Sequence, residues 1–358
     1  MSDFFLVAGG TGGHVFPALA LARELQKRKH SVRMITDRRG QKYCNEIAHE
    51  TLAAKAVLGR NIVQRLSALL ALGFGYFQAH LLLWRHKPKT VVGFGGYAAL
   101  PMLLAAQHQG RRTIVHEQNA VMGRVNRVLA RRAELVALSF AKTQKCPTGA
   151  RFVHVGNPAS GARIEAKNSP RNEDDFHLLV LGGSLGAKVF DSLIIDAIKL
   201  LPEQTRARMV ITQQTVAIEP SQLQQAYQDL GVRAECLEFI VGAAQKMPQM
   251  QMIITRAGGG ITAEVSNAGL PALYVPLPIA ADQHQYYNAL YYADAGGAEV
   301  LPQAELDAKI LSKKFEFYVH NPDRLVSMSH AMIDCAMPKA LETLTHHTEQ
   351  RNFDDPTT

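Results

Sequence analysis

The same opening occurs twice in this chain. Phe4-Phe5-Leu6-Val7-Ala8 runs into Gly9-Gly10-Thr11-Gly12-Gly13-His14-Val15-Phe16-Pro17. His177-Leu178-Leu179-Val180-Leu181 runs into Gly182-Gly183-Ser184-Leu185-Gly186-Ala187-Lys188-Val189-Phe190. Each reads as an apolar strand, a glycine loop and the start of an amphipathic helix. Glycines strip the loop of side chains, so backbone N–H groups can approach a ligand closely. A helix start adds free N–H donors and the positive end of the dipole, which suits phosphate or another anion. Pro17 is expected in the first helical turn, where no N–H is needed. His14, at the mouth of the loop, is either a surface histidine or a candidate base. Two such openings, each starting a half of similar size in 358 residues, predict an α/β protein of two doubly wound parallel-sheet domains facing one another.

Strands alternate with helices in both halves, which implies parallel sheets covered on both faces with ligands at the strand C-terminal ends. In the first half, strands are predicted near 4–8, 31–36, 90–93, 113–116, 135–138 and 152–155, and helices near 15–28, 61–86, 98–108 and 121–131. In the second, strands are predicted near 178–181, 209–212, 252–255, 272–275 and 299–301, and helices near 187–200, 221–230, 262–268, 283–295 and 322–335. Residues 157–175 have a linker composition. The expected domains are 1–160 and 161–337, with a helix near 338–350 packing back on the first.

The net charge of +8 favours polyanionic partners. No cluster of basic and aromatic residues resembles a nucleic-acid module, so no nucleic-acid partner is expected. Four scattered cysteines without a CxxC read as reduced thiols, and no signal peptide is expected. No acidic residue, lysine or arginine falls between Leu66 and Trp84, while Arg60, Arg65, Arg85, Lys87 and Lys89 flank that stretch. Leu66, Leu69, Leu70, Gly73, Phe77, Leu81 and Trp84 form one helical stripe. They predict a helix packed on a sheet by that stripe or, on the sharper reading, an apolar face set against an anionic bilayer.

Further loops at predicted strand ends carry chemistry. Val92-Gly93-Phe94-Gly95-Gly96-Tyr97 is glycine-rich. His116-Glu117-Gln118-Asn119 places four polar groups after an apolar strand, although Asn119 could simply cap the next helix. Ile253-Ile254-Thr255-Arg256-Ala257-Gly258-Gly259-Gly260-Ile261-Thr262-Ala263-Glu264 ends a buried strand in three glycines at a helix start. Glu264 either accepts the hydroxyls of a ribose or complements the dipole in the first turn. Gln285 and Asn288 share one helix face, as sugar ligands or as a solvated helix start. The sequence has no DxD, HExxH or clustered metal ligands, so a protein-held metal is not expected. It also lacks a lysine-bearing Walker loop.

With these residues in view, the chain resembles the MurG family, the UDP-N-acetylglucosamine–N-acetylmuramyl-(pentapeptide) pyrophosphoryl-undecaprenol N-acetylglucosamine transferases of glycosyltransferase family 28. The similarity rests on residues 9–14, 93–97, 116–119, Val155-Gly156-Asn157-Pro158, 182–187 and Gly269-Leu270-Pro271-Ala272, in order along nearly the whole chain. It implies a GT-B fold with an interdomain cleft and inverting transfer of GlcNAc from UDP-GlcNAc to the C4 hydroxyl of MurNAc in lipid I. It implies no cofactor, and a peripheral place on the cytoplasmic face of the inner membrane, against anionic phospholipid. Residue by residue, it implies that Thr11, Gly12 and Gly13 lie near the donor sugar and acceptor diphosphate, and that His14 is the general base. Asn119 would contact the GlcNAc, Ser184 the donor, and Ile240 the uracil. Gly259, Gly260, Ile261, Thr262, Ala263 and Glu264 would hold diphosphate and ribose. Gln285, with Asn288 beside it, would hold sugar hydroxyls, and Gly95, Gly96 and Tyr97 the acceptor diphosphate. Ser160 stands where the family usually has arginine, Ile261 where it has threonine, and Gln213-Gln214 lacks a glycine that often follows. The rival expectations are a GT-B enzyme with another acceptor, a UDP-GlcNAc 2-epimerase, and a non-catalytic nucleotide-sugar binder.

Overall fold

The computed structural model describes residues 2–10, 12–54, 62–158, 174–183 and 187–350. The chain divides into two compact units, Met1–Ala159 with Lys339–Thr358, and Ser160–Pro338. Most of the linker-like stretch 157–175 and the polar C-terminal end lie outside the described residues, as do Thr11, Ser184 and Ser160.

The first unit is built on strands β1 (Phe4–Val7), β2 (Val32–Thr36), β3 (His49–Thr51), β4 (Thr90–Gly93), β5 (Arg112–Glu117), β6 (Leu135–Leu138) and β7 (Phe152–His154). They form one parallel sheet in the order β3-β2-β1-β4-β5-β6-β7. Every residue of β1 is buried: Phe4 and Leu6 enter one hydrophobic cluster, Phe5 and Val7 another. Successive side chains of a strand point to opposite faces, so an unbroken apolar run marks a strand covered on both. The covering helices are α1 (Gly12–Lys27), α2 (Ile62–His86), α3 (Ala99–His108) and α4 (Arg124–Ala130).

The second unit repeats the plan with β8 (Phe176–Leu181), β9 (Met209–Gln214), β10 (Arg233–Leu237), β11 (Met252–Thr255), β12 (Ala272–Tyr274) and β13 (Ala298–Val300). All are parallel, in the order β10-β9-β8-β11-β12-β13. Its helices are α5 (Lys188–Lys199), α6 (Glu203–Arg208), α7 (Pro220–Gln228), α8 (Ala243–Lys246), α9 (Gly259–Asn267), α10 (His284–Asp294), α11 (Ala308–His320) and α12 (Pro322–Asp334). A final helix, α13 (Ala340–Glu349), belongs to the first unit. Its Leu344 is buried in the cluster with α1, and Glu349 bonds Arg28 at 2.9 Å and His30 at 2.7 Å. In each unit the strand order reverses beside the first strand, between β1 and β4 and between β8 and β11. Open parallel sheets bind ligands at that switch point, and the two repeated glycine loops lie there.

Two readings of the sequence are corrected. Helix α1 already begins at Gly12, so Pro17 is its sixth residue and removes the hydrogen bond that an N–H there would give Gly13 O. On α2, the stripe expected against the sheet faces outward. Leu66, Leu69, Leu70, Phe74, Phe77, Leu81 and Trp84 are 52–73% exposed, while Ala68, Gly75, Ala79 and Leu83 face inward. The small residues win the inner face because the backbone comes close there: a Cβ on Gly75 would collide with the carbonyl oxygen of Ala53. The 21 residues Leu66–His86 are long and apolar enough to cross a membrane.

Candidate active site

In the first unit, three strand ends converge. The loop after β1 leads into α1, whose third residue is the half-buried His14. The loop after β4 carries Gly95 and Gly96 at φ +92° and +77°, a region that favours glycine. The two loops touch: Gly9 N donates to Gly95 O at 3.3 Å. A Cβ on Gly95 would lie 3.3 Å from His14 Cε1 and Nδ1, so the bare backbone is what lets the imidazole settle. Asp37, at the end of β2, accepts from the N–H of Gly10 at 3.1 Å, Arg39 at 3.0 Å and Gly40 at 2.9 Å, and from the Arg39 guanidinium. Burial pushes the Asp37 carboxyl up, but those donors outweigh it and hold its pKa below the ordinary value.

The loop after β5 completes the group. His14 Nδ1 bonds Gln118 Oε1 at 3.0 Å. Gln118 Nε2 donates to Phe94 O at 2.9 Å and to His116 Nδ1 at 3.0 Å, and His116 Nε2 meets Gly156 O at 3.1 Å. His116 is fully buried, and desolvation lowers its pKa to about 4, so it is neutral at pH 7. The buried Glu117 accepts from Asn119 N, Gly123 N and Asn126 Nδ2 at 3.0, 2.9 and 2.8 Å, and so shapes the turn that presents Asn119. Asn126 Oδ1 is buried without a hydrogen-bond partner among the described residues. Gly12 is buried, Gly13 exposed and Tyr97 half-buried.

In the second unit, β11 leads through Arg256 and Ala257 into Gly258-Gly259-Gly260 at the start of α9. Gly258 is the N-cap and offers no side-chain cap, which leaves the first-turn N–H groups without that acceptor. Thr262 turns inward, its hydroxyl bonding Gly258 O at 3.1 Å and Gly259 O at 3.3 Å. Ile261 and Ala263 are half-buried on the same turn. Glu264 is the sixth residue of α9, past the first turn where a carboxylate complements the dipole. Desolvation alone pushes its pKa up to about 7. Gln285 Oε1 accepts from Leu277 N at 2.9 Å, and its Nε2 donors have no partner among the described residues. The buried Asn288 donates to Ala257 O at 2.9 Å and ties α10 to the glycine turn. Ile240 is buried between the exposed Phe239 and Val241 in the loop after β10.

Arg256, quoted in the motif but assigned no role from sequence, sits between the two glycine loops of this unit. Its guanidinium donates to Val275 O at 3.1 Å and Gln303 Oε1 at 2.8 Å and lies 5.3 Å from the centre of the Phe190 ring. A Cβ on Gly183 would lie 3.7 Å from Arg256 Cβ. No carboxylate pairs with Arg256 among the described residues, and desolvation lowers its pKa. Gln214 brackets the same loop, accepting from Gly182 N at 3.3 Å. The signal for Arg256 was a charged residue directly after a buried strand. Gln118 and Glu117 stood in the polar run 116–119, but their contacts could not be read from it.

Each unit therefore offers bare backbone donors at a switch point, one beside a histidine, the other beside a carboxyl group and an arginine. That is equipment for an anionic nucleotide ligand and a proton transfer. The comparisons give the class its name. Residues 4–138 match the glycosyltransferase family 28 N-terminal domain, and residues 177–344 match the glycosyltransferase family 28 C-terminal domain. The chain is 39% identical over 351 residues to the UDP-N-acetylglucosamine--N-acetylmuramyl-(pentapeptide) pyrophosphoryl-undecaprenol N-acetylglucosamine transferase of Brucella abortus, covering 96% of this chain and 93% of that one. It is 40% identical over 342 residues to the Rhodospirillum rubrum protein of the same name, covering 94% and 88%. The crystal structure of Acinetobacter baumannii MurG superimposes with a TM-score of 0.83 at 30% identity, over 98% of this chain and 99% of that one. The chain belongs to glycosyltransferase family 28, and its fold is that of the GT-B enzymes.

Proposed function

We propose that this enzyme transfers GlcNAc from UDP-GlcNAc to the C4 hydroxyl of MurNAc in undecaprenyl-pyrophosphoryl-MurNAc-pentapeptide (lipid I), inverting the anomeric centre and releasing lipid II and UDP. The observation that carries this reading is 39% identity, over 96% of the chain, to a relative named for that activity.

The second unit holds the donor. The N-terminal N–H groups of α9, at Gly259, Gly260 and Ile261, face the diphosphate, with Ala263 and Thr262 shaping the turn. Arg256 supplies a cation. Glu264 accepts the ribose hydroxyls, Ile240 packs on the uracil, and Ser184, Gln285 and Asn288 serve the sugar end. The first unit holds lipid I, its diphosphate against Gly95, Gly96, Tyr97, Thr11, Gly12 and Gly13, with Asn119 toward the GlcNAc. His14 takes the proton of the C4 hydroxyl as that oxygen bonds to C1. The bond from C1 to the UDP oxygen breaks, and its electron pair leaves on the diphosphate. Donors already aimed at that growing charge lower the barrier. The enzyme sits peripherally on an anionic membrane by the outward stripe of α2, next to the exposed Arg85 and Lys87.

The test is product analysis after mixing the protein with radiolabelled UDP-GlcNAc and a lipid I analogue. Label in a disaccharide lipid supports the reading. Label left in UDP-GlcNAc, or moved to an epimerised sugar, refutes it. His14→Ala should lower kcat by about 10²- to 10⁴-fold and leave UDP affinity unchanged.

A further inference from the structure

A base histidine can act only through the nitrogen that carries no proton. In a neutral imidazole, the hydrogen bond made by one ring nitrogen decides which that is. Free in water, the side chain favours the hydrogen on Nε2, the wrong arrangement for a base that must offer Nε2.

The contacts around His14 leave a single consistent assignment. Phe94 O can only accept, and it lies 2.9 Å from one end of the Gln118 carboxamide, so that end is the NH2 group. The second hydrogen of the NH2 points to His116 Nδ1 at 3.0 Å, which must therefore be a bare acceptor. His116 then carries its hydrogen on Nε2 and gives it to Gly156 O at 3.1 Å, another group that can only accept. Burial keeps His116 neutral, which this pattern requires. Both ends of the chain are backbone carbonyls, so its direction cannot reverse. The oxygen of Gln118 is left facing His14 Nδ1 at 3.0 Å. An oxygen without hydrogens can only accept, so His14 Nδ1 holds the proton.

We propose that Gln118 is a positioning residue that fixes His14 in the Nδ1–H form and so makes Nε2 the atom that receives the acceptor hydroxyl proton. The assignment of Nε2 as receiver rests on reading His14 as the base. The step balances simply. The C4 oxygen forms its bond to C1 as its proton moves to Nε2, and UDP departs with the electron pair of the broken bond. His14, now an imidazolium, still donates through Nδ1–H to Gln118 and later returns the extra proton to solvent. Unlike the carboxylate of a serine-protease triad, the amide orients the ring without adding a countercharge.

The experiment is long-range 1H–15N correlation NMR of the full-length protein labelled in histidine, with the His14 signals assigned by their loss in His14→Gln. The expected wild-type spectrum has a protonated Nδ1 and a bare Nε2 on His14. In Gln118→Met, which keeps length and removes the acceptor, the His14 signals should move toward the Nε2–H form. That variant should lose about 10- to 100-fold in kcat while KM for UDP-GlcNAc and for the lipid I analogue stays within about twofold. A wrong tautomer costs the serine-protease triad about 10⁴, and partial relaxation should cost less. An Nε2–H His14 in the wild-type protein overturns the proposal whatever the variant does, as does a Gln118→Met protein with unchanged kcat. Full activity in His14→Ala, with His14 still Nδ1–H in the wild type, refutes the base reading and leaves the orienting bond standing.

Discussion

The Cβ that Gly96 lacks would sit 2.6 Å from the carbonyl oxygen of Gly9. Two loops more than eighty residues apart in sequence are thus pressed together, backbone on backbone, at the switch point of the first sheet. Gly96 also holds φ +77°. Gly96→Ala should lower stability by about 2–4 kcal/mol, from left-handed strain plus a collision with a main-chain atom that cannot swing away. Gly110→Ala is the control: it has φ +64° but nothing within 4 Å of the added methyl, and should cost about 1 kcal/mol. Urea unfolding of the two variants checks this, and equal losses would refute a packing role for Gly96.

Glu264 should make UDP binding depend on pH. Desolvation lifts its pKa to about 7 in the free protein, while a ribose diol donates best to the ionised carboxylate. UDP affinity should rise about tenfold between pH 6 and pH 8, and Glu264→Gln should flatten that rise. Ionisation of UDP itself is common to both proteins and cancels in the comparison. Stability carries the opposite sign. The folded pKa lies above the unfolded one, so the fold favours the protonated form, and the penalty grows as pH rises from about 4.5 to 7. The Gln variant should match wild type near pH 4 and exceed it by about 1–3 kcal/mol at pH 8, after allowance for partial exposure. Calorimetric titration and thermal melts across this range test both halves. A parallel pH dependence of UDP affinity in the two proteins would remove the ribose role.

What the sequence made legible, and what it hid, follows burial and contact range. The central strands were readable because both faces are covered, as the runs at 4–7 and 178–181 display. Strands β3 and β10 were missed. They lie at sheet edges, and β10 alternates exposed Arg233 and Glu235 with the half-buried Ala234 and the buried Cys236, so neither has an apolar run. Helix α11 was also missed, although Asp307 caps it by accepting from Ile310 N at 2.7 Å. The glycine loops were legible as helix starts at strand ends, since that signal is local. The partners of His14 did not. Gln118 lies 104 residues away, and no periodicity encodes such a contact. The α2 stripe misled because apolar spacing marks a face without saying what covers it.

That outward stripe yields a prediction about location. Leu70 and Phe77 are 67% and 61% exposed. The double variant Leu70→Glu, Phe77→Glu should therefore unfold within about 0.5 kcal/mol of wild type. It should nevertheless fail to sediment with anionic phospholipid vesicles that carry the wild-type protein down. Wild-type binding should weaken in high salt, because Arg85 and Lys87 beside the stripe act through screened attraction. Co-sedimentation of the double variant at the wild-type level would show that this face is not the membrane contact.

Arg256 offers the sharpest test of where the departing charge is held. Its guanidinium is half-buried, spends its donors on Val275 O and Gln303 Oε1, and meets no carboxylate among the described residues. A desolvated cation without a counterion is an unfavourable arrangement in the free protein, and an arriving diphosphate relieves it. Arg256→Met should weaken UDP binding about 10- to 100-fold, while uridine, which lacks the phosphates, should bind the two proteins alike. Arg256→Lys should fall between them, because a point charge cannot reproduce the planar fork that bonds two acceptors at once. If uridine and UDP lose affinity equally in Arg256→Met, the arginine is shaping the pocket rather than countering the phosphates.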